Sequence, residues 1–103
     1  IMTLMGNIRA KVLRSEYEFT KHAVDRAILR HIRVAEIGEA VENGEIIEDH
    51  PNDKYGPGCL ILGFTNAGRP MHLQITHPEQ SILKLITVYI PDPAESVDFK
   101  ERR

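Results

Sequence analysis

Two histidines, three arginines, a threonine and a tyrosine carry the chemistry open to this chain. They are His22, Arg26 and Arg30 in one segment, Arg69 and His72 in a second, and Thr87 and Tyr89 in a third. Cleaving a phosphodiester without a metal needs a base for the attacking hydroxyl and an acid for the leaving oxygen. It also needs cations to hold the charge that builds on phosphorus. Histidine suits either proton role, since its ordinary pKa of ~6.5 lies near working pH. Arginine suits the third, because its planar fork grips phosphate oxygens in pairs. The resulting assignment makes His72 and His22 the proton-transfer groups and sets Arg69 and Arg26 on the scissile phosphate. Thr87 bonds a phosphate oxygen, Tyr89 stacks on a base or serves as the acid, and Arg30 adds a substrate-binding cation.

Each of these residues also has a plainer reading. His22 follows a helix cap, where an imidazole can simply touch the helix end. Arg26 can pair with a nearby acid, and His72 at an expected solvent-facing strand position can be ordinary surface. Thr87 and Tyr89 have high strand propensity and need no function to explain them. His31 falls on the expected apolar side of its helix and reads as a core-edge residue, while His50 and His77 read as surface loop residues. No metal or cofactor is expected: the histidines form neither His-x-x-x-His nor His-Glu-x-x-His, and one cysteine cannot build a thiolate site. Nor is there a Walker loop, a dinucleotide-binding loop or a Gly-x-Ser-x-Gly elbow.

Elements that could position these groups are legible in the pattern. Residues 7–14 suggest a short amphipathic helix with Ile8 and Val12 on one side. Thr20 can cap a second helix, with Phe19 and Val24 as a hydrophobic staple. At 100° per residue that helix sets Val24, Ala27, Ile28 and His31 inward, and His22, Arg26, Leu29 and Arg33 outward. A third runs from Val34 to Asn43, with Ile37 and Val41 inward, Glu36, Glu39 and Glu42 outward, and Gly44 as a left-handed cap. The pattern then turns to period two. Strands are expected at 45–48, 59–65, 69–76 and 81–90, with a turn at Asn66-Ala67-Gly68 and a short helix or tail at 94–103. Met71, Leu73 and Ile75 share a face expected to meet the helices, as do Ile86, Val88 and Ile90. His72, Gln74, Thr87 and Tyr89 share the other. The fold class is α+β: N-terminal helices (about 7–43) on one face of a four-stranded antiparallel sheet (about 45–90), in one domain spanning 1–103.

The 103 residues are 42% hydrophobic with a net charge of −2, enough for one core without staples. The charge is uneven. Residues 1–35 hold seven Lys/Arg against three Asp/Glu, whereas 36–56 hold one against seven. A net-acidic chain is not the usual nucleic-acid binder, yet a local basic face can serve an enzyme that touches few phosphates. DNA binding by the two central helices is disfavoured by Glu36, Glu39 and Glu42 on the would-be recognition helix. Cys59, in an apolar run, reads as a buried thiol in a reducing compartment. No segment nears the ~20 apolar residues of a membrane span, and the residues before Gly6 do not read as a signal peptide. The expectation is a cytoplasmic protein without a membrane partner.

Several runs carry a resemblance. Phe19-Thr20-Lys21-His22-Ala23 with Arg26 and Arg30, Gly44-Glu45-Ile46-Ile47-Glu48, Leu62-Gly63-Phe64-Thr65, Gly68-Arg69-Pro70-Met71-His72 and Ile86-Thr87-Val88-Tyr89 resemble the bacterial family of unknown function numbered 4258. That family is similar to BrnT-type toxins and, more distantly, to the RelE and MqsR ribonuclease toxins. The resemblance implies a RelE-like architecture and a toxin-like, metal-independent endoribonuclease that cleaves RNA, such as mRNA, by 2′-hydroxyl attack. It also implies a cognate antitoxin covering the sheet. The alternative is a non-enzymatic protein- or RNA-binding module of the same fold.

Overall fold

Three helices and five strands follow one another in the order α1 (Leu4–Leu13), β1 (Tyr17–Phe19), α2 (Lys21–Leu29), α3 (Val34–Glu42), β2 (Glu45–His50), β3 (Gly58–Phe64), β4 (Pro70–Thr76) and β5 (Leu83–Tyr89). The computed structural model describes residues 3–52, 56–78 and 81–91; the expected tail at 94–103 lies outside the described residues. The class is α+β, but the sheet has five strands, ordered β1-β5-β4-β3-β2. Strands β2 to β5 form the expected antiparallel meander, and β1 adds to β5 in parallel. At three residues, Tyr-Glu-Phe is too short for its alternation to stand out from a helix lead-in.

Helix α1 begins earlier than its apolar pattern suggests, because the Thr3 hydroxyl accepts the Gly6 N–H at 3.0 Å and caps it. It buries Met5 and Ile8. Helix α3 buries Glu36, Ile37, Ala40 and Val41 against β3. Gly44 is not its left-handed cap: the positive-φ glycines among the described residues are Gly56 and Gly68. Gly44 is needed for space instead. A Cβ there would come within 2.6 Å of the Ala40 carbonyl, and one on Gly63 would strike the same oxygen. These two glycines let α3 settle directly on the sheet.

Helix α2 is capped by Thr20 as expected, its hydroxyl accepting the Ala23 N–H at 3.1 Å. Its rotation differs from the expectation. Ala23 and Ala27 face the core, while Val24 is 38% and Ile28 70% exposed. His31 is not at the core edge either. It is exposed, with φ 55°, in the left-handed turn that leads towards α3.

On the sheet, Met71, Leu73 and Ile75 are buried against the helices, as the alternation predicts. Gly68, at φ 88°, closes the hairpin between β3 and β4, where its missing Cβ removes the steric penalty of that conformation. In β5 the parity breaks. Gln74 lies opposite Thr87 and Ile75 opposite Leu85, which leaves Ile86 as a bulge residue. Leu83, Leu85 and Val88 therefore join the core, and Ile86 turns to the opposite face rather than sharing a side with Val88.

Candidate functional site

The bulge in β5 opens a groove. It has a volume of about 580 Å³ and is lined by Thr20 and His22 from the start of α2, Gln74 and Thr76 from β4, and Lys84, Ile86 and Thr87 from β5. Thr20 sets the wall: its N–H donates to the Leu85 carbonyl at 3.1 Å and its hydroxyl to the Ile86 carbonyl at 2.9 Å. The same hydroxyl caps α2, so one residue ties the helix start to the bulge. The N–H groups of the first helical turn lack partners within the helix and carry its positive dipole end. Thus the start of α2, the exposed His22 side chain and Lys84 make the groove mouth favourable to an anion. Among the described residues the Lys84 ammonium has a loose contact with Glu18, at 4.0 Å.

The seven residues proposed from sequence divide into three groups. His22 and Thr87 meet in the groove. Arg26 and Arg30 continue from His22 along one stripe of α2, at a rise of about 6 Å per four-residue step. Both are half-buried. No side-chain hydrogen bond or ion pair ties Arg26 among the described residues, and Arg30 Nε is buried without a partner.

His72 and Tyr89 form the second group. They lie opposite one another in the β4–β5 register, with His72 Nδ1 3.0 Å from the Tyr89 hydroxyl and the rings edge to face at 5.0 Å. The shared face is as expected, the exposure is not. His72 is only 1% exposed, and Leu60 and Leu62 beside it on that face are also buried. A surface histidine is thus replaced by a buried one whose Nδ1 is paired with the hydroxyl of a half-exposed tyrosine.

Arg69 forms the third group, away from any phosphate position. Its Nη2 donates to the Arg30 carbonyl at 2.7 Å and its Nη1 to the His31 carbonyl at 3.2 Å. Nη1 also lies 3.5 Å from a Glu36 oxygen. The guanidinium therefore caps the carbonyl end of α2 and clips it to the first turn of α3. Glu36 faces inward rather than out. It accepts the Arg33 N–H at 2.9 Å, and this bond, with the charges of Arg69 and Arg33, holds its carboxyl below the usual carboxylate range despite burial.

Sequence reasoning missed Lys84, Thr76 and Ile86 as groove residues and used Thr20 only as a cap. Leu83-Lys84-Leu85 alternates in-out-in, so parity with Gln74 was the available signal for Lys84. His77, expected at the surface, is buried with Nε2 2.6 Å from Asp49 Oδ1. Cys59 is fully buried, and desolvation with the nearby Asp49 charge pushes its thiol up to about 12. A protonated thiol in the core is a packing group, not a nucleophile. Among the described residues no three His, Cys, Asp or Glu side chains converge as metal ligands, and no helix is long and apolar enough to cross a membrane.

Comparison with known proteins gives one family and no nearer relative. No curated protein and no solved structure matches the chain. The family model described as Domain of unknown function (DUF4258) matches residues 19–90, from Phe19 in β1 to Ile90 just past β5. That span takes in the groove, the His72–Tyr89 pair and the Arg69 clip, and it covers more than half of the chain: the protein belongs to the DUF4258 family.

Proposed function

We propose that the groove between α2 and the β5 bulge binds the sugar–phosphate backbone of RNA, and that the chain is a toxin-like, metal-independent endoribonuclease acting by 2′-hydroxyl attack. The observation that carries this reading is the meeting of His22, Lys84, Gln74 and Thr87 around one open groove. His22 is the exposed proton-transfer group and takes the 2′-hydroxyl proton. Arg26 and Lys84 bind phosphate oxygens, and Thr87 and Gln74 donate hydrogen bonds to the backbone. The attack gives a 2′,3′-cyclic phosphate and releases the 5′-oxygen, which takes its proton from the Tyr89 phenol. His72 acts through Tyr89, orienting and polarising that phenol. Arg69 supports the site by fixing the far end of α2. A BrnT- or RelE-like architecture and an inhibitory antitoxin partner belong to the same reading.

A second reading, RNA binding without turnover, is favoured by the burial of His72 and the engagement of Arg69 with backbone carbonyls. The experiment that separates them is cleavage of a labelled RNA by purified protein in EDTA, comparing wild type with His22→Ala. Loss of a general base should slow cleavage about 10²–10⁴-fold with little change in RNA affinity. Binding by both proteins with no product from either would leave the module reading standing.

A further inference from the structure

Helix α2 carries its bulky apolar residues on the wrong side for a helix that only packs on its own domain. The core-facing side holds Ala23 and Ala27, while Val24, Ile28 and Leu29 stand in solvent, Ile28 and Leu29 at 70% and 64% exposure. An amphipathic helix ordinarily turns its largest apolar groups inward. Here rotation is prevented at both ends. Thr20 is bonded to Leu85 and Ile86 at the start, and the Arg30 and His31 carbonyls are held by Arg69 at the finish. The outward apolar side chains are therefore a fixed feature of the fold.

Their electrostatic setting selects the occupant. Residues 20–33 contain Lys21, Arg26, Arg30 and Arg33 against a single acid, Asp25; Lys21 and Asp25 are exposed on the apolar face itself, and Arg26 and Arg30 are half-buried at its flank. Among the described residues no ion pair engages Lys21 or Arg26, while Arg33 faces Glu36 at 3.5 Å. A convex helical ridge with apolar residues at i, i+4 and i+5 suits another helix laid along it. The nine residues of α2 span about 14 Å, which matches about three turns of a partner.

We infer that the outer face of α2 docks an acidic amphipathic helix of a partner protein, its apolar side against Val24, Ile28 and Leu29 and its carboxylates against the flanking cations. This surface stands independently of whether the groove cleaves RNA. Since Arg26 and Arg30 lie on the stripe that begins at His22, docking would also lower the positive potential at the groove.

The test is an NMR titration of isotope-labelled protein with a designed three-turn helical peptide, leucines on one side and glutamates on the other. A lysine-for-glutamate version and phosphatidylcholine–phosphatidylglycerol vesicles are the controls. Expected are shifts confined to residues 21–33, weakened several-fold between ~50 and ~300 mM salt, and at least about tenfold weaker binding by Ile28→Asp. That variant alters an exposed side chain, so its spectrum away from α2 should match wild type. The inference is overturned if the acidic peptide causes no shifts, if the lysine peptide binds equally well, or if only the vesicles bind.

Discussion

Helices α2 and α3 have the same length and both pack on the sheet, α2 against β5 and β1 and α3 against β3 and α1, yet they are held in different ways. Of the nine residues in each, α3 buries Glu36, Ile37, Ala40 and Val41, and α2 buries only Ala23. Helix α3 sits on the sheet where Gly44 and Gly63 make room for its backbone. Helix α2 is pinned at its two ends and lies beside β5, with its middle open. The contrast teaches that α3 is architecture. Helix α2 is a fixture on which polar and apolar groups are displayed: His22 towards the groove, Arg26 and Arg30 along its flank, Ile28 and Leu29 outward.

The largest effect that would sharpen this contrast is expected at the α3 contact. Gly63→Ala drives a methyl into the Ala40 carbonyl, and because backbone must move it should cost about 3 kcal/mol in urea unfolding. A loss below ~1 kcal/mol would mean that α3 shifts freely, and the contrast would fail.

An intermediate effect is expected at the clip between the helices. Arg69→Ala leaves the Arg30 and His31 carbonyls and Glu36 without their cation, a loss of about 1–2 kcal/mol. Glu36 also gives the clip a pH dependence. Its carboxyl is held low chiefly by the Arg33 N–H, so the folded state binds fewer protons than the unfolded one. The stabilisation is full above the ordinary carboxylate pKa of ~4.3 and is lost as pH falls through the lower native value. In the Glu36→Gln variant that acid limb should flatten in stability measured from pH 7 down to pH 3. The smallest effect is expected on the open side of α2, where Ile28→Asp should change stability by less than ~0.5 kcal/mol.

The legibility of the sequence follows the same division. Alternation in Met71, Leu73 and Ile75 identified the core face, and the polar face of His72, Gln74, Thr87 and Tyr89 came with it, because side-chain parity is local. Ile86 was misread because a bulge leaves no mark in hydrophobicity: an isoleucine two residues before Val88 looks like core. His72 was given its correct face but the wrong exposure, since what lies over a sheet face is not written in the strand itself. The rotation of α2 was misjudged because side-chain size argued for burying Val24 and Ile28, and bonds from Thr20 and Arg69 overrode it. Arg69 looked like a phosphate ligand because its targets, two carbonyls nearly forty residues away, cannot be seen from Gly-Arg-Pro. Thr20 and Thr87 were legible as residues, but the groove they share needed the parallel strand β1 to bring α2 beside β5.

The most direct measurement is an NMR titration of the labelled protein with a short single-stranded RNA, with the groove as the place to watch. The account predicts shifts concentrated at Thr20, His22, Gln74, Lys84 and Thr87, with Arg26 and Tyr89 following, and their loss in a Lys84→Ala/His22→Ala double variant. Shifts gathered instead on the α1–α3 side around Leu13 and Val34, with the groove silent, would contradict it.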